Sequence, residues 1–150
     1  MKNRPKIMIS VFVINSEGDK LIVGNRFYEN TSSLVSSKLS YGEEFEDCAT
    51  RILSNTINIV VEDKKRIKFL CTYNVVGQSI HNVAVDFYLQ ITSEEEKYHL
   101  NVDPYYFKHW DWFTFEDITK MHDSLSCGLQ IFLKKFNIKN FEDIKKIVSN

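Results

Sequence analysis

Lys38-Leu-Ser-Tyr-Gly-Glu-Glu-Phe-Glu-Asp-Cys-Ala-Thr-Arg-Ile-Leu-Ser-Asn-Thr-Ile-Asn-Ile59 is the stretch whose pattern decides the fold. Apolar residues fall at Phe45, Cys48, Ala49, Ile52 and Leu53, three and four apart, which is the spacing of a helix with one apolar stripe. Gly42 stands just before the stripe and Asn58 just after it, and these types suit a helix start and a left-handed C′ stop. The spacing therefore predicts a helix from Phe45 to Thr56. Glu43, Glu44, Glu46 and Asp47 crowd its start, where acids complement the helix dipole. Asp47 and Arg51 have the spacing of an i,i+4 ion pair.

On the N-terminal side, Ile7-Met-Ile-Ser-Val-Phe-Val-Ile14 is an apolar, β-branched run of strand length. Asn15-Ser-Glu-Gly18 is a turn signal, and Lys20-Leu-Ile-Val-Gly24 reads as the return strand. Tyr28 to Ser37 reads as a polar loop. On the C-terminal side, Ile67 to Val76 is a long strand and Gly77-Gln-Ser-Ile-His81 turns the chain. Val83, Val85, Phe87, Leu89 and Ile91 alternate with Ala84, Asp86, Tyr88 and Gln90, a period of two. Thr92 to Lys97 reads as an acidic, solvated loop, and His109-Trp-Asp-Trp-Phe113 as a short aromatic strand with both indoles on one face. Thr114-Phe-Glu-Asp117 has the pattern of a capping box, with Asp in place of the usual Glu or Gln. Leu125 to Phe136 is an amphipathic helix and Phe141 to Val148 a short last one. The order is β-β-α-β-β-β-α, with no internal repeat or linker.

The 150 residues fit one domain, 1–150, and 43% hydrophobic with 26% charged residues is ordinary for a packed globular chain. A formal net charge of −1 leaves no global field to recruit nucleic acid or an anionic membrane. No apolar run approaches the ~18 residues of a membrane span. Met1-Lys-Asn-Arg-Pro-Lys6 is basic but leads straight into a strand, so no signal peptide is expected. Cys48, Cys71 and Cys127 are odd in number and widely spaced, which argues against a disulfide framework and for a reducing, cytoplasmic compartment. No Ser-His-Asp arrangement, phosphate-binding glycine loop or basic aromatic stripe is visible. His81 reads as a solvated turn residue, and Trp110 and Trp112 as packing residues. Cys127 reads as a buried helix-start thiol, or else a reactive thiol at a pocket mouth.

The element order and the central stretch resemble the Nudix (MutT-like) hydrolase superfamily. Its motif is G-x5-E-x7-R-E-U-x-E-E-x-G-U, with U a bulky aliphatic residue. Val35-Ser-Ser-Lys-Leu-Ser-Tyr-Gly-Glu43 is similar to the family loop P-G-G-x-L-E-x-G-E. Glu44-Phe-Glu-Asp-Cys-Ala-Thr-Arg51 is similar to the helix start, and Leu53 and Ile59 fill the U positions. Asn101-Val-Asp-Pro104, Trp110-Asp-Trp112 and Gly128-Leu129 resemble counterparts in the subgroup that sanitises purine-nucleotide pools. The resemblance implies an α/β/α sandwich with a mixed central sheet, and cleavage of diphosphate linkages with Mg²⁺ or Mn²⁺. It also implies a structural ion pair between Glu43 and Arg51. Gly128 and Leu129 would offer backbone groups to a purine edge, Leu34 and Leu39 would lie along the pocket, and Arg26 would reach towards phosphates. The bland alternative is core packing for the leucines and Gly128, and a solvated strand end for Arg26.

The chain departs from the family at the acids. The first motif glycine is Ser37, and Ile52, Asn55 and Thr56 stand where three glutamates are expected. Residues three and four apart neighbour one another on a helix, so one face loses three formal charges. Magnesium prefers anionic oxygen ligands, and both the Lewis acid and the activated water should suffer. Asp47 lies roughly 12 Å along the axis from Asn55, too far to replace it. No cofactor is therefore predicted. Were hydrolysis to persist, Mg²⁺ or Mn²⁺ would have only Glu43, Glu44 and Asp47 nearby. Three functions stay open: a catalytically impaired protein binding a purine nucleotide or a partner, a divergent metal-dependent nucleoside di- or triphosphate diphosphohydrolase, and a purely structural subunit of a larger assembly. The aromatic content leaves room for a homodimer or protein-partner interface.

Overall fold

The computed structural model describes residues 4–26, 31–98 and 107–149. Seven strands form one mixed sheet around β1 (Lys6–Ile14). Along one edge β1 runs parallel to β6 (His81–Gln90), from Lys6 opposite Asn82 to Ile14 opposite Gln90. Along its other edge it meets two antiparallel partners in succession. Met8 to Val11 pair with β4 (Val35–Lys38), and Ile14 pairs with Leu21 at the start of β2 (Leu21–Arg26). The short β3 (Ser32–Ser33) pairs with Gly24 and Asn25 of β2 on that same side. β1 and β2 thus fork, and residues 32–38 fill the fork. β5 (Lys68–Val76) closes one edge against β6, and β7 (Phe107–Phe113) closes the other against β2.

Helices cover both faces. α1 (Phe45–Ile57) lies on one, and Cys48, Ala49, Ile52, Leu53 and Ile57 pack against Ile9, Val11, Val13, Val85, Phe87 and Leu89. Each large aliphatic buried there contributes roughly 1.5–3 kcal/mol. α1 begins after Gly42, whose φ of +81° suits glycine, and stops at Asn58, left-handed at φ 57° with its N–H bonded to the Leu53 carbonyl. The opposite face carries α3 (Phe115–Lys120), α4 (Cys127–Lys135) and α5 (Phe141–Ser149) over Phe12, Ile14, Tyr73, Val75, Ala84 and Tyr88. Thr114 and Asp117 form the reciprocal capping box that opens α3. The architecture is the expected α/β/α sandwich.

Two local expectations need correction, and β6 adds a feature that was not anticipated. The polar loop before Ser37 contains β3 and β4, because the forked strands leave backbone donors and acceptors that a chain of any side-chain type can pair. The acidic loop is α2 (Ser93–Tyr98), and its acids are fasteners. Glu95 takes a two-pronged bond from Arg66, 2.7 Å at the shorter prong, and Glu96 accepts from the Ser16 amide and hydroxyl. In β6 the second alternating set is also interior, since Ala84, Asp86 and Tyr88 lie under α4 and α5 rather than in water.

Candidate functional site

The motif region is built around Arg51. Its Nε donates to Glu43 Oε2 at 2.8 Å, one Nη to Glu43 Oε1 at 3.0 Å, and the same Nη to the Lys38 carbonyl at 3.1 Å. The Ser40 amide also donates to Glu43. The guanidinium and that amide hold the Glu43 carboxyl down to about 2. Loop and helix are thereby locked together. Asp47 does not pair with Arg51. Lys64, from the turn before β5, reaches Asp47, while the fork of Arg51 is already committed to Glu43. Glu44 is exposed at the N-cap and makes no capping bond.

The face expected to carry ligands is divided. Ile52 is 1% exposed and Thr56 is 7% exposed, both turned to the sheet, while Asn55 is exposed. Leu39 packs against this same α1 core.

On the opposite face a cleft of about 440 Å³ opens between β1, β4, β5, β6 and the start of α4. Leu34, Gly128 and Leu129 meet here, so three of the five pocket residues read from the sequence converge. The Arg26 side chain and the Asn101–Pro104 segment lie outside the described residues. The start of α4 is pinned over the cleft. The Ser126 amide donates to the Ser32 carbonyl at 2.8 Å, its hydroxyl accepts from the Leu129 amide, and Leu125 bridges Ser32. Phe132 anchors the helix on Phe12, ring centroids 4.6 Å apart. Cys127 is exposed on the rim and not buried as a helix-start thiol, because its side chain leaves the helix on the side away from Leu129 and Phe132.

The floor holds a residue that sequence reading passed over. Asp86 is 1% exposed, and its Oδ2 accepts the Tyr73 hydroxyl at 2.7 Å. Burial pushes its carboxyl up to about 7, against the opposing pull of that hydroxyl. Ser10 is its register neighbour on β1, and Ser36 and Asn82 line the same walls. The signal was available: an acid inside an apolar strand long enough to be central.

No protein-family model matches the sequence. Solved structures do match the fold. A MutT protein from Methanosarcina mazei Go1 superimposes with a TM-score of 0.71 at 14% identity, over 91% of this chain and 96% of that one. The NUDIX domain of Shewanella oneidensis NrtR, solved with ADP ribose, gives 0.70 at 13% identity over 97% and 89%. A C. elegans Ap4A hydrolase binary complex gives 0.67 at 13% identity over 88% and 95%. This chain has the Nudix fold. Likeness at such low identity is one of architecture, so the chemistry rests on this chain's own residues.

The residues of α1 do not fit a divalent metal. Position 52 is aliphatic and packed into the core, position 55 is a neutral amide and position 56 is a buried hydroxyl. Glu43 is committed to Arg51 and Asp47 to Lys64. Among the described residues no three His, Cys, Asp or Glu side chains converge as a metal site. Among them, too, no helix is long and apolar enough to cross a membrane.

Proposed function

We propose that this chain binds a purine nucleotide or nucleoside in the α4 cleft and has lost the metal-dependent diphosphate hydrolysis of its fold. The carrying observation is Ile52, an aliphatic side chain 1% exposed in the α1 core at a position where that chemistry needs a carboxylate on an open face. The cleft, in contrast, keeps what a base requires. Leu34, Val75 and Leu129 give apolar walls, and Asp86, Ser10, Ser36 and Asn82 give a few polar groups. Two fold neighbours, one solved with ADP ribose and one named an Ap4A hydrolase, support a nucleotide as the class of ligand. With no cation to offset phosphate charge, nucleosides and monophosphates should bind at least as well as triphosphates.

The test pairs two readouts on purified protein. Nucleotide products are measured by chromatography from nucleoside triphosphates, ADP-ribose and diadenosine tetraphosphate with Mg²⁺ or Mn²⁺, beside ligand-induced melting shifts. A shift without turnover is the expected result. Chelator-sensitive turnover near one per second would refute the loss of hydrolysis.

A further inference from the structure

The Tyr73 hydroxyl stands between two acceptors, 2.7 Å from Asp86 Oδ2 and 3.3 Å from the Gly128 carbonyl oxygen. It has one proton and can serve one of them at a time. While Asp86 is ionised, that proton goes to the carboxylate, the stronger acceptor. Once Asp86 is protonated, its own O–H can donate to the Tyr73 oxygen, and the Tyr73 proton is released to Gly128. The floor of the cleft and the first turn of α4 are therefore joined by a chain of hydrogen bonds whose direction follows one proton.

The chain ends where a ligand would sit. Asp86 and Gly128 both line the cleft. The Thr31 hydroxyl, also in its lining, is buried and finds no partner among the described residues. We propose that Asp86 is the specificity-determining residue of this cleft, that when ionised it reads the paired N–H donors of a guanine-type edge, and that Tyr73 relays its protonation to Gly128. This rests on the reading of the cleft as a nucleotide site. An ionised carboxylate is acceptor-only and complements adjacent ring N–H and exocyclic N–H₂ donors; a protonated one offers one donor and one acceptor and fits them poorly.

The groups around Asp86 leave it as the one that changes charge near neutrality. Ser10 faces it from β1, Cys71 and Tyr73 from β5, Tyr88 from its own strand, and Gly128 and Leu129 from α4. Burial pushes the Cys71 thiol up to about 12 and raises both tyrosines further still above neutrality, so all three stay uncharged. Lys135, further along α4, acts on Cys71. Asp86 itself titrates at about 7, within the range where binding can be measured.

The experiment is calorimetric titration of the full chain with guanosine, inosine and adenosine between pH 5.5 and 8.5. Guanosine should bind best above pH 7 and weaken by roughly tenfold per unit below it, with proton release, as one linked proton requires. Inosine, which lacks the exocyclic amine, should be intermediate, and adenosine should show no such fall. Asp86→Asn should weaken guanosine by about 10–100-fold and flatten its pH profile. Tyr73→Phe removes the bond that favours the ionised form, so it should move the midpoint of the guanosine profile to higher pH. This second variant and the wild-type profile keep the test decisive if Asp86→Asn does not fold. Guanosine binding that is independent of pH, or unaltered in both variants, would overturn the role of Asp86 and leave the nucleotide site standing. No binding of any nucleoside at any pH would overturn both.

Discussion

Replacing Asp86 by Asn tests the electrostatics of the cleft floor without any ligand. The carboxyl is 1% exposed, and burial raises it from its ordinary 3.8 to about 7. Between those values the unfolded chain has released the proton while the native chain still holds it. The native state then binds more protons, so its stability falls as pH rises through this window and levels off above the native pKa. About three pH units at 1.36 kcal/mol each make the loss about 4 kcal/mol between pH 4 and pH 8. Asn keeps an oxygen that can accept the Tyr73 hydroxyl, and it does not titrate. Any fixed cost of burying the amide shifts its curve without bending it. The measurement is denaturant unfolding of wild type and Asp86→Asn from pH 4 to pH 8. Subtracting one series from the other cancels the remaining titrating groups. The variant should gain about 4 kcal/mol on wild type as pH rises from 4 to 7 and hold that lead above it. A difference that stays constant across the range would refute a raised Asp86 and remove the basis for its switching.

The Glu43 carboxyl, held down to about 2, contributes stability that is present at neutral pH and lost as pH falls from about 4.5 towards 2. Arg51→Ala should lower the melting temperature by a few degrees at pH 7 and abolish the Glu43 part of that acid sensitivity; an unchanged melting curve would mean that the clamp does not hold the loop. Ile52→Glu places a carboxylate in the α1 core and should cost about 3–5 kcal/mol in denaturant unfolding. A variant as stable as wild type would show that position 52 can turn to the open face after all.

The elements that were legible in the sequence are those whose period is set by a single buried face. α1 buries one stripe, so Cys48, Ala49, Ile52 and Leu53 announce it, and Asn58 marks its end by the backbone conformation it tolerates. β3 and β4 were not legible, because they exist only where β1 and β2 part and leave free backbone groups. Their serines carry no periodic signal. Pairing partners misled for a related reason. Asp47 and Arg51 are correctly spaced for one another, but spacing along a helix says nothing of Glu43 arriving from a loop or Lys64 from another turn. Asp86 was hidden by its strand being interior on both faces, where the alternation of Val85, Phe87 and Leu89 no longer separates core from solvent.

That last point bears on what the chain does. Removing charge from α1 is compatible with stability, since Ile52 joins a packed core and contributes to it. Keeping Asp86 is the opposite case. A carboxyl this deep, with one hydroxyl donating to it and no cation among the described residues offsetting its burial, lowers native stability above neutral pH. An apolar residue at that position would pack more favourably between Ala84 and Tyr88, beneath the start of α4. A stability cost borne at the floor of a cleft is the signature of a group that serves what it contacts there. The two faces of the sheet therefore support the same proposal: Ile52 serves the α1 core, and the buried acid lies at the floor of the cleft proposed to take a base.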